Sequence, residues 1–288
     1  MVNVNFSITG GNGDTIVFDT ENYVLNTALS GISAIPATKV RIDPSAGNGG
    51  IWRNTKRGVR DIDLPITILG SDRGDVEEKL RRLARLTQDA LGETTLTANY
   101  SDGTSLTIGL HYVGGAEAGS WGSDVGLTYC KWVMSFQAPT PFWESTTIQS
   151  FSVTSGNTGR GLLPELARLR VSSSQSLGTV TINNTGDVAA FPVWTILGPI
   201  AGLQITSGSL SFGLNAPLGA GKRIVIDTAT GLVTDDAGDN AYALLSPAPK
   251  LFPIQPGTST ITVLANEGST STATRISCDY ALRYEVVH

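Results

Sequence analysis

Gln137-Ala138-Pro139-Thr140-Pro141-Phe142-Trp143-Glu144 decides how this chain is organised. Two prolines one residue apart remove ladder donors and fix the backbone, so a strand running up to Phe136 must stop here. The stretch divides the 288 residues into two modules, each near the usual size of a domain. The predicted domains are residues 1–143 and 144–288.

Both modules read as β, so the predicted fold class is mainly β. Upstream, Val2, Val4, Phe6 and Ile8 alternate, Gly10-Gly11-Asn12-Gly13-Asp14 turns, and Ile16, Val17 and Phe18 return, which is a hairpin signature. Further strands are predicted over 39–43, 62–69, 94–99, 105–113 and 128–138, separated by Gly, Asn and Asp turns. Pro44 to Gly50 reads as a loop that continues towards Arg60. One helix is predicted over Asp75–Leu91, where Val76, Leu80, Leu83, Leu86 or Thr87, and Ala90 recur at helical spacing. Asp75 is placed to cap its first turn with Glu78 as partner, and Gly92 to supply a left-handed stop. Glu77 with Arg81, and Glu78 with Arg82, stand four apart in the favourable order for an exposed face. Downstream, nine short strands, beginning at 149–153 and ending at 274–286, have no helix between them. Parallel strands need long crossovers, so the second module is predicted to be an antiparallel sandwich.

Composition bounds the function. Hydrophobic residues make up 40% and charged residues 16%, enough to bury a core in each module. A net charge of -5 argues against tight nucleic-acid binding, which needs clustered cations. No apolar run approaches the roughly 18 residues of a membrane span, and no secretory leader is visible, so synthesis in a cytoplasm is expected. Cys130 and Cys278 sit in apolar strand-like settings and read as buried free thiols.

Reactive constellations are scarce. His111 and His288 are the two histidines, too few for a triad or a His-rich metal site. Gly219-Ala220-Gly221-Lys222-Arg223 lacks the Ser or Thr of a phosphate loop and precedes a strand, so it reads as a turn. Asp227, Asp235, Asp236 and Asp239 invite a calcium reading, but Ala237 interrupts the alternation and no downstream Glu closes the loop; a polar hairpin tip fits better. No cofactor or metal is expected. Of the tryptophans, Trp132 and Trp194 alternate into strands and read as core. Trp52 and Trp121 lie beside glycines in loop-like stretches, Trp52 among Arg53, Lys56, Arg57 and Arg60, a mixture frequent at protein interfaces. Trp121 is a candidate ligand contact.

Ordered along nearly the full length are Thr140-Pro141-Phe142-Trp143-Glu144-Ser145, Phe191-Pro192-Val193-Trp194-Thr195-Ile196-Leu197-Gly198-Pro199, Ile224-Val225-Ile226-Asp227-Thr228 followed by Gly231, and Pro256-Gly257-Thr258-Ser259-Thr260-Ile261. In that order they resemble the distal tail protein family of siphophages, in the version found in phages of Gram-positive hosts. The resemblance implies an N-terminal β-sandwich or split barrel with one helix, and a C-terminal galectin-like β-sandwich. It also implies a hexameric ring in the virion tail tip, placed between the tail tube protein and the tail-tip or baseplate hub, with DNA passing through unbound. No long insertion that would form a carbohydrate-binding module is visible. On this reading the protein is structural, not an enzyme, and the expected subunit contacts are Phe6, Phe18, Trp52, Arg53, Arg57, Arg81 and Arg85. A carbohydrate-binding β-sandwich used in host-surface adhesion is the rival class. It predicts a monomer that loses sugar binding on Trp52 or Trp121 substitution, whereas a glycosidase predicts a carboxylate pair in a cleft.

Overall fold

The computed structural model describes residues 4–26, 29–45, 47–115, 124–154, 177–266 and 268–287. The chain divides into two compact units, Met1–Thr147 with Arg283–His288, and Ile148–Leu282. Residues 283–288 thus return to the first unit, a return that a single division at 143–144 did not include.

In the first unit, β1 (Val4–Thr9) and β2 (Thr15–Val17) form the predicted hairpin, with Ser7 opposite Val17. There follow β3 (Tyr23–Leu25), β4 (Thr38–Pro44), β5 (Gly50–Arg57), β6 (Arg60–Leu69), helix α1 (Arg73–Leu86), β7 (Thr94–Tyr100), β8 (Ser105–Gly115), β9 (Tyr129–Ala138) and the start of β10 (Trp143–Thr154). One run of strands pairs as β2–β1–β7–β8–β10, and another as β3–β6–β9–β8. Strand β8 serves both: Leu110 lies opposite Thr94 of β7, and His111 opposite Gln137 of β9. A bulge between Tyr112 and Gly114 follows the change of partner and bends the strand there. The two runs point Ile8, Leu64, Ile66, Leu96, Phe136 and Trp143 into one dry core, and α1 adds Val76, Leu83 and Leu86. Burial of that apolar surface is the main stabilising term.

The helix differs from its prediction at both ends. Asp72, not Asp75, is the N-cap: its carboxylate accepts from the Asp75 amide at 3.0 Å. Asp75 in turn accepts from the Ser71 amide at 2.8 Å and from Lys79 Nζ at 2.9 Å. The helix stops at Thr87, and Asp89–Leu91 forms a separate 3-10 turn, which leaves Ala90 exposed. Gly92, at φ +112°, lies against Gly11; a Cβ on Gly11 would fall 2.4 Å from the Gly92 Cα, so the close approach requires glycine. Glu77 and Arg81 pair loosely at 3.8 Å. Arg82 ignores Glu78 and grips Asp14 of the first turn through two bonds, 2.9 and 2.6 Å.

Residues 44–60 correct a second expectation. The loop that begins after Pro44 does not continue towards Arg60: it ends at Gly50, because Gly50–Arg57 is a strand paired to β4 with Thr38 opposite Arg57. A bulge at Arg53 breaks the alternation that would have revealed it.

Just beyond this hairpin, Arg60 is 3% exposed and donates to five backbone carbonyls: Pro141 (2.7 Å), Gly31 (2.5 Å), Ile32 (3.2 Å), Ala34 (2.8 Å) and Glu285. Burial pulls its pKa down from the usual arginine value, with Glu285 opposing, yet arginine stays charged in proteins.

The second unit contains the rest of β10, then β11 (Gly178–Asn184), β12 (Val193–Leu197), β13 (Gln204–Ser207), β14 (Leu210–Gly213), β15 (Arg223–Asp227), β16 (Val233–Asp235), β17 (Gly257–Leu264) and most of β18 (Arg275–Tyr284). Two antiparallel sheets, β16–β15–β12–β18 and β11–β17–β13–β14, form the predicted sandwich. Trp194 sits at its centre, edge-on to Phe151, Phe212 and Phe252 at 5.7 to 6.5 Å. Trp132, expected in the core, is half-buried. Cys130 and Cys278 are free and buried, and burial pushes both thiols up, which keeps them protonated and inert. Among the described residues no helix is long and apolar enough to cross a membrane.

Replacing Arg60 with Met strands five carbonyls and is expected to cost about 3–5 kcal/mol, near 10 °C in the melting midpoint of the first unit, with Arg60→Lys recovering part of it; thermal unfolding followed by near-UV circular dichroism measures both. Arg82 holds the Asp14 carboxyl below the usual carboxylate range. The stabilisation from Asp14 is therefore present above about pH 4 and lost as pH falls through its lowered folded value. In urea titrations between pH 2 and 7, Asp14→Asn is expected to flatten that part of the acid dependence.

Candidate assembly surface

The β4–β5 hairpin is a two-stranded sheet of its own, and every residue of β5 is exposed. Its register sorts the side chains. Thr38, Val40, Ile42 and Pro44 share one face with Arg57, Thr55 and Trp52, while Lys39, Arg41 and Asp43 share the other with Lys56, Asn54 and Ile51. On the first face Trp52 Nε1 donates to Thr55 Oγ1 at 2.9 Å. Arg53, in the bulge, reaches Asp43 at 2.8 Å and joins the second face. The first face is thus mainly apolar, with Arg57 at its root, and the second mainly basic, with Ile51 near the tip. Exposures of 52% for Val40, 60% for Ile42 and 63% for Trp52 leave the apolar side open among the described residues.

Two features of the hairpin violate ordinary surface chemistry. A contiguous exposed apolar stripe is uncommon on a monomer. Lys39 also stands directly opposite Lys56, a like-charge pair that destabilises a ladder in isolation. From Thr38 to Arg57 there are five basic side chains against Asp43 alone, a charge of +4 in a chain whose total is -5. The hairpin's tip is tied by Ser45, whose hydroxyl donates to the carbonyls of Gly47 and Gly49 at 3.1 Å. At its root Gly58 N donates to Ala37 O at 2.8 Å, and Arg57 bonds Thr38 Oγ1 at 2.5 Å and the Glu285 carboxylate.

The other predicted contact residues fall in several places. Arg81 and Arg85 lie on the exposed face of α1, Arg81 with three quarters of its side chain in water. Phe18 is fully buried in the first unit's core and Phe6 packs partly against it, so Phe18 stabilises the unit itself and offers no surface. Trp121 lies outside the described residues.

A recess of about 250 Å³ in the first unit is lined by Glu93, Thr95, Thr107, Phe142 and Glu144. Gly109 lets the Glu93 carboxylate lie against β8, 2.2 Å from where a Cβ would stand. Glu144 pairs with Arg283 at 3.1 Å, and the Arg283 guanidinium lies 4.8 Å from the Phe142 ring centre. No sequence spacing announces this recess, because its residues come from separate strands. In the second unit the aspartates serve local turns: Asp235 accepts from the Ala237 and Asp239 amides, Asp227 from the Ala229 amide, and Asp236 pairs with Lys222 at 3.0 Å. Among the described residues no three His, Cys, Asp or Glu side chains gather as a metal site would require.

Neither a protein-family model nor any curated protein sequence matches the chain. Solved structures do. The crystal structure of the SPP1 Dit (gp 19.1) protein, described as a paradigm of the hub adsorption apparatus in Gram-positive infecting phages, is similar with a TM-score of 0.66 at 13% identity, over 96% of this chain and 98% of that one. A chain of the phage P2 baseplate in its activated conformation, solved with Ca and with Sr, gives 0.54 at 11% identity over 99% and 100%. At such identities the likeness is one of fold, and the chain shares that fold with these phage hub and baseplate proteins over nearly its full length.

Proposed function

We propose that this chain is a structural subunit of a phage tail tip that joins copies of itself into a closed ring, with residues 1–143 as the ring-forming module. The ring seats the hub or baseplate beneath the tail tube and continues the DNA channel; six copies is the expected order. The observation that carries the reading is the hairpin of Thr38–Arg57, open on its apolar face although the fold around it is well packed. Its twenty or so residues match one side of a standard protein interface. A second copy supplies the complementary charge, since the rest of the chain balances the hairpin's +4 with -9. A closed ring repeats one heterologous contact until the rotation closes, and it covers exposed edges as it does so.

The hairpin's composition favours this over the rival classes. Trp52 shares its face with Ile42 and Val40, and its indole N–H is already taken by Thr55, which suits a protein-contact anchor. Glu144 in the recess is held by Arg283, and the architecture carries the function through geometry, with no turnover.

Light scattering coupled to size-exclusion chromatography, with negative-stain imaging of the peak, tests the ring. The wild type is expected as a hollow particle, alone or on adding the tube protein. Trp52→Ala is expected to weaken each contact by about 2 kcal/mol, roughly thirtyfold, and to leave monomers of unchanged melting point. Monomeric wild type under both conditions overturns the proposal. Because DNA must slide through, fluorescence anisotropy with a labelled duplex at physiological salt is expected to show no tight binding by the ring; retention by a basic wall contradicts the channel role.

A further inference from the structure

The segment Arg283–Val287 is fastened to the first unit along its length. Arg283 pairs with Glu144, Tyr284 packs against the core, and Val287 is 3% exposed within it. The carbonyl of Val287 accepts from Ser33 Oγ at 2.9 Å, and that of Glu285 accepts from buried Arg60. One further bond reaches the hairpin itself: the Glu285 carboxylate accepts from Arg57, with 22% and 34% of the two side chains exposed.

A ribbon open on both faces takes its direction from its root. The Gly58–Ala37 and Arg57–Thr38 bonds close that root by joining its two sides to each other. The Arg57–Glu285 bond does something else, because Glu285 lies 228 residues away and its own backbone is held by Arg60. It links the ribbon to a segment that cannot move with it. Shielded from most solvent, this charge-assisted pair is stronger and better oriented than a surface ion pair.

We infer that Arg283–Val287 is a strap and Glu285 a positioning residue for assembly, holding the hairpin at the angle from which its apolar face docks on a second copy. The inference rests on the ring reading above. Removing the carboxylate leaves the hairpin's ladder intact while freeing its root to swing, so each docking event must first re-establish the angle.

Hydrogen exchange of the full chain, read at peptides covering residues 36–39 and 56–59, tests the strap, and the assembly assay tests its consequence. Glu285→Ala is expected to speed exchange at the root roughly tenfold, the worth of one charge-assisted bond, and to raise the concentration needed for assembly by a similar factor. Glu285→Gln, which keeps an acceptor without the charge, is expected to fall between. Arg57→Ala, which also deletes the bond to Thr38, is expected to speed exchange at the root further, and adding Glu285→Ala to it is expected to change nothing more, since Arg57→Ala has already removed the bond to Glu285. Exchange elsewhere in the first unit reports that each variant is folded. Unchanged exchange at the root in Glu285→Ala overturns the strap. A wild-type ring that Glu285→Ala leaves intact overturns the assembly role alone, whereas a wild type that never assembles overturns the ring reading instead.

Discussion

Arg60 is the constraint on which the rest of the first unit depends. Its guanidinium is buried, five backbone carbonyls from three stretches of chain share its donors, and the Glu285 charge favours it. A charge taken out of water is costly unless its hydrogen bonds are all met. Arginine meets that demand because its planar fork donates in several directions at once; lysine, with three donors on one point, covers fewer partners. The residues that converge on Arg60 are Gly31 to Ala34 before the hairpin, Pro141 at the end of the first module's strands, and Glu285 on the strap. The same side chain therefore sets where the hairpin leaves the sheet and where the chain's last described residues lie.

From that anchor the arrangement of the hairpin follows. Its two faces differ because a β-ribbon sends alternate side chains to opposite sides, and this one alternates apolar with basic. In most proteins such a pattern marks a strand lying on its own core. Here the core is complete without it: Ile62, Leu64, Ile66 and Ile68 of β6 are fully buried by other elements. An amphipathic ribbon left over after the core is filled has the makings of an interface, and on the proposed reading another copy of the chain, with its opposite charge surplus, is the partner.

The described interior is given over to packing and local turns. Both thiols are buried and held protonated, the aspartates of the second unit serve their own turns, and Trp194 lies among three phenylalanines. These are the devices of a rigid sandwich.

Local chemistry by itself determined much of this protein. Alternation placed the strands, the 3.6-residue period placed the helix to within a few residues, and Pro139 with Pro141 placed the break after β9, because periodicity and missing amides act over short stretches of chain. The helix N-cap moved to Asp72 because a cap depends on which amides are left free, and periodicity alone locates ends poorly. Strand β5 stayed hidden because the bulge at Arg53 shifts its period. What only the tertiary structure decided was coverage: Phe18 and Trp52 look alike as apolar residues beside turns, yet one is sealed in the core and the other stands in solvent. Arg60 and Glu285 read as ordinary surface charges until the fold brings them together across more than two hundred residues. Burial and long-range bonding depend on what arrives from elsewhere in the chain, and no local pattern carries that information.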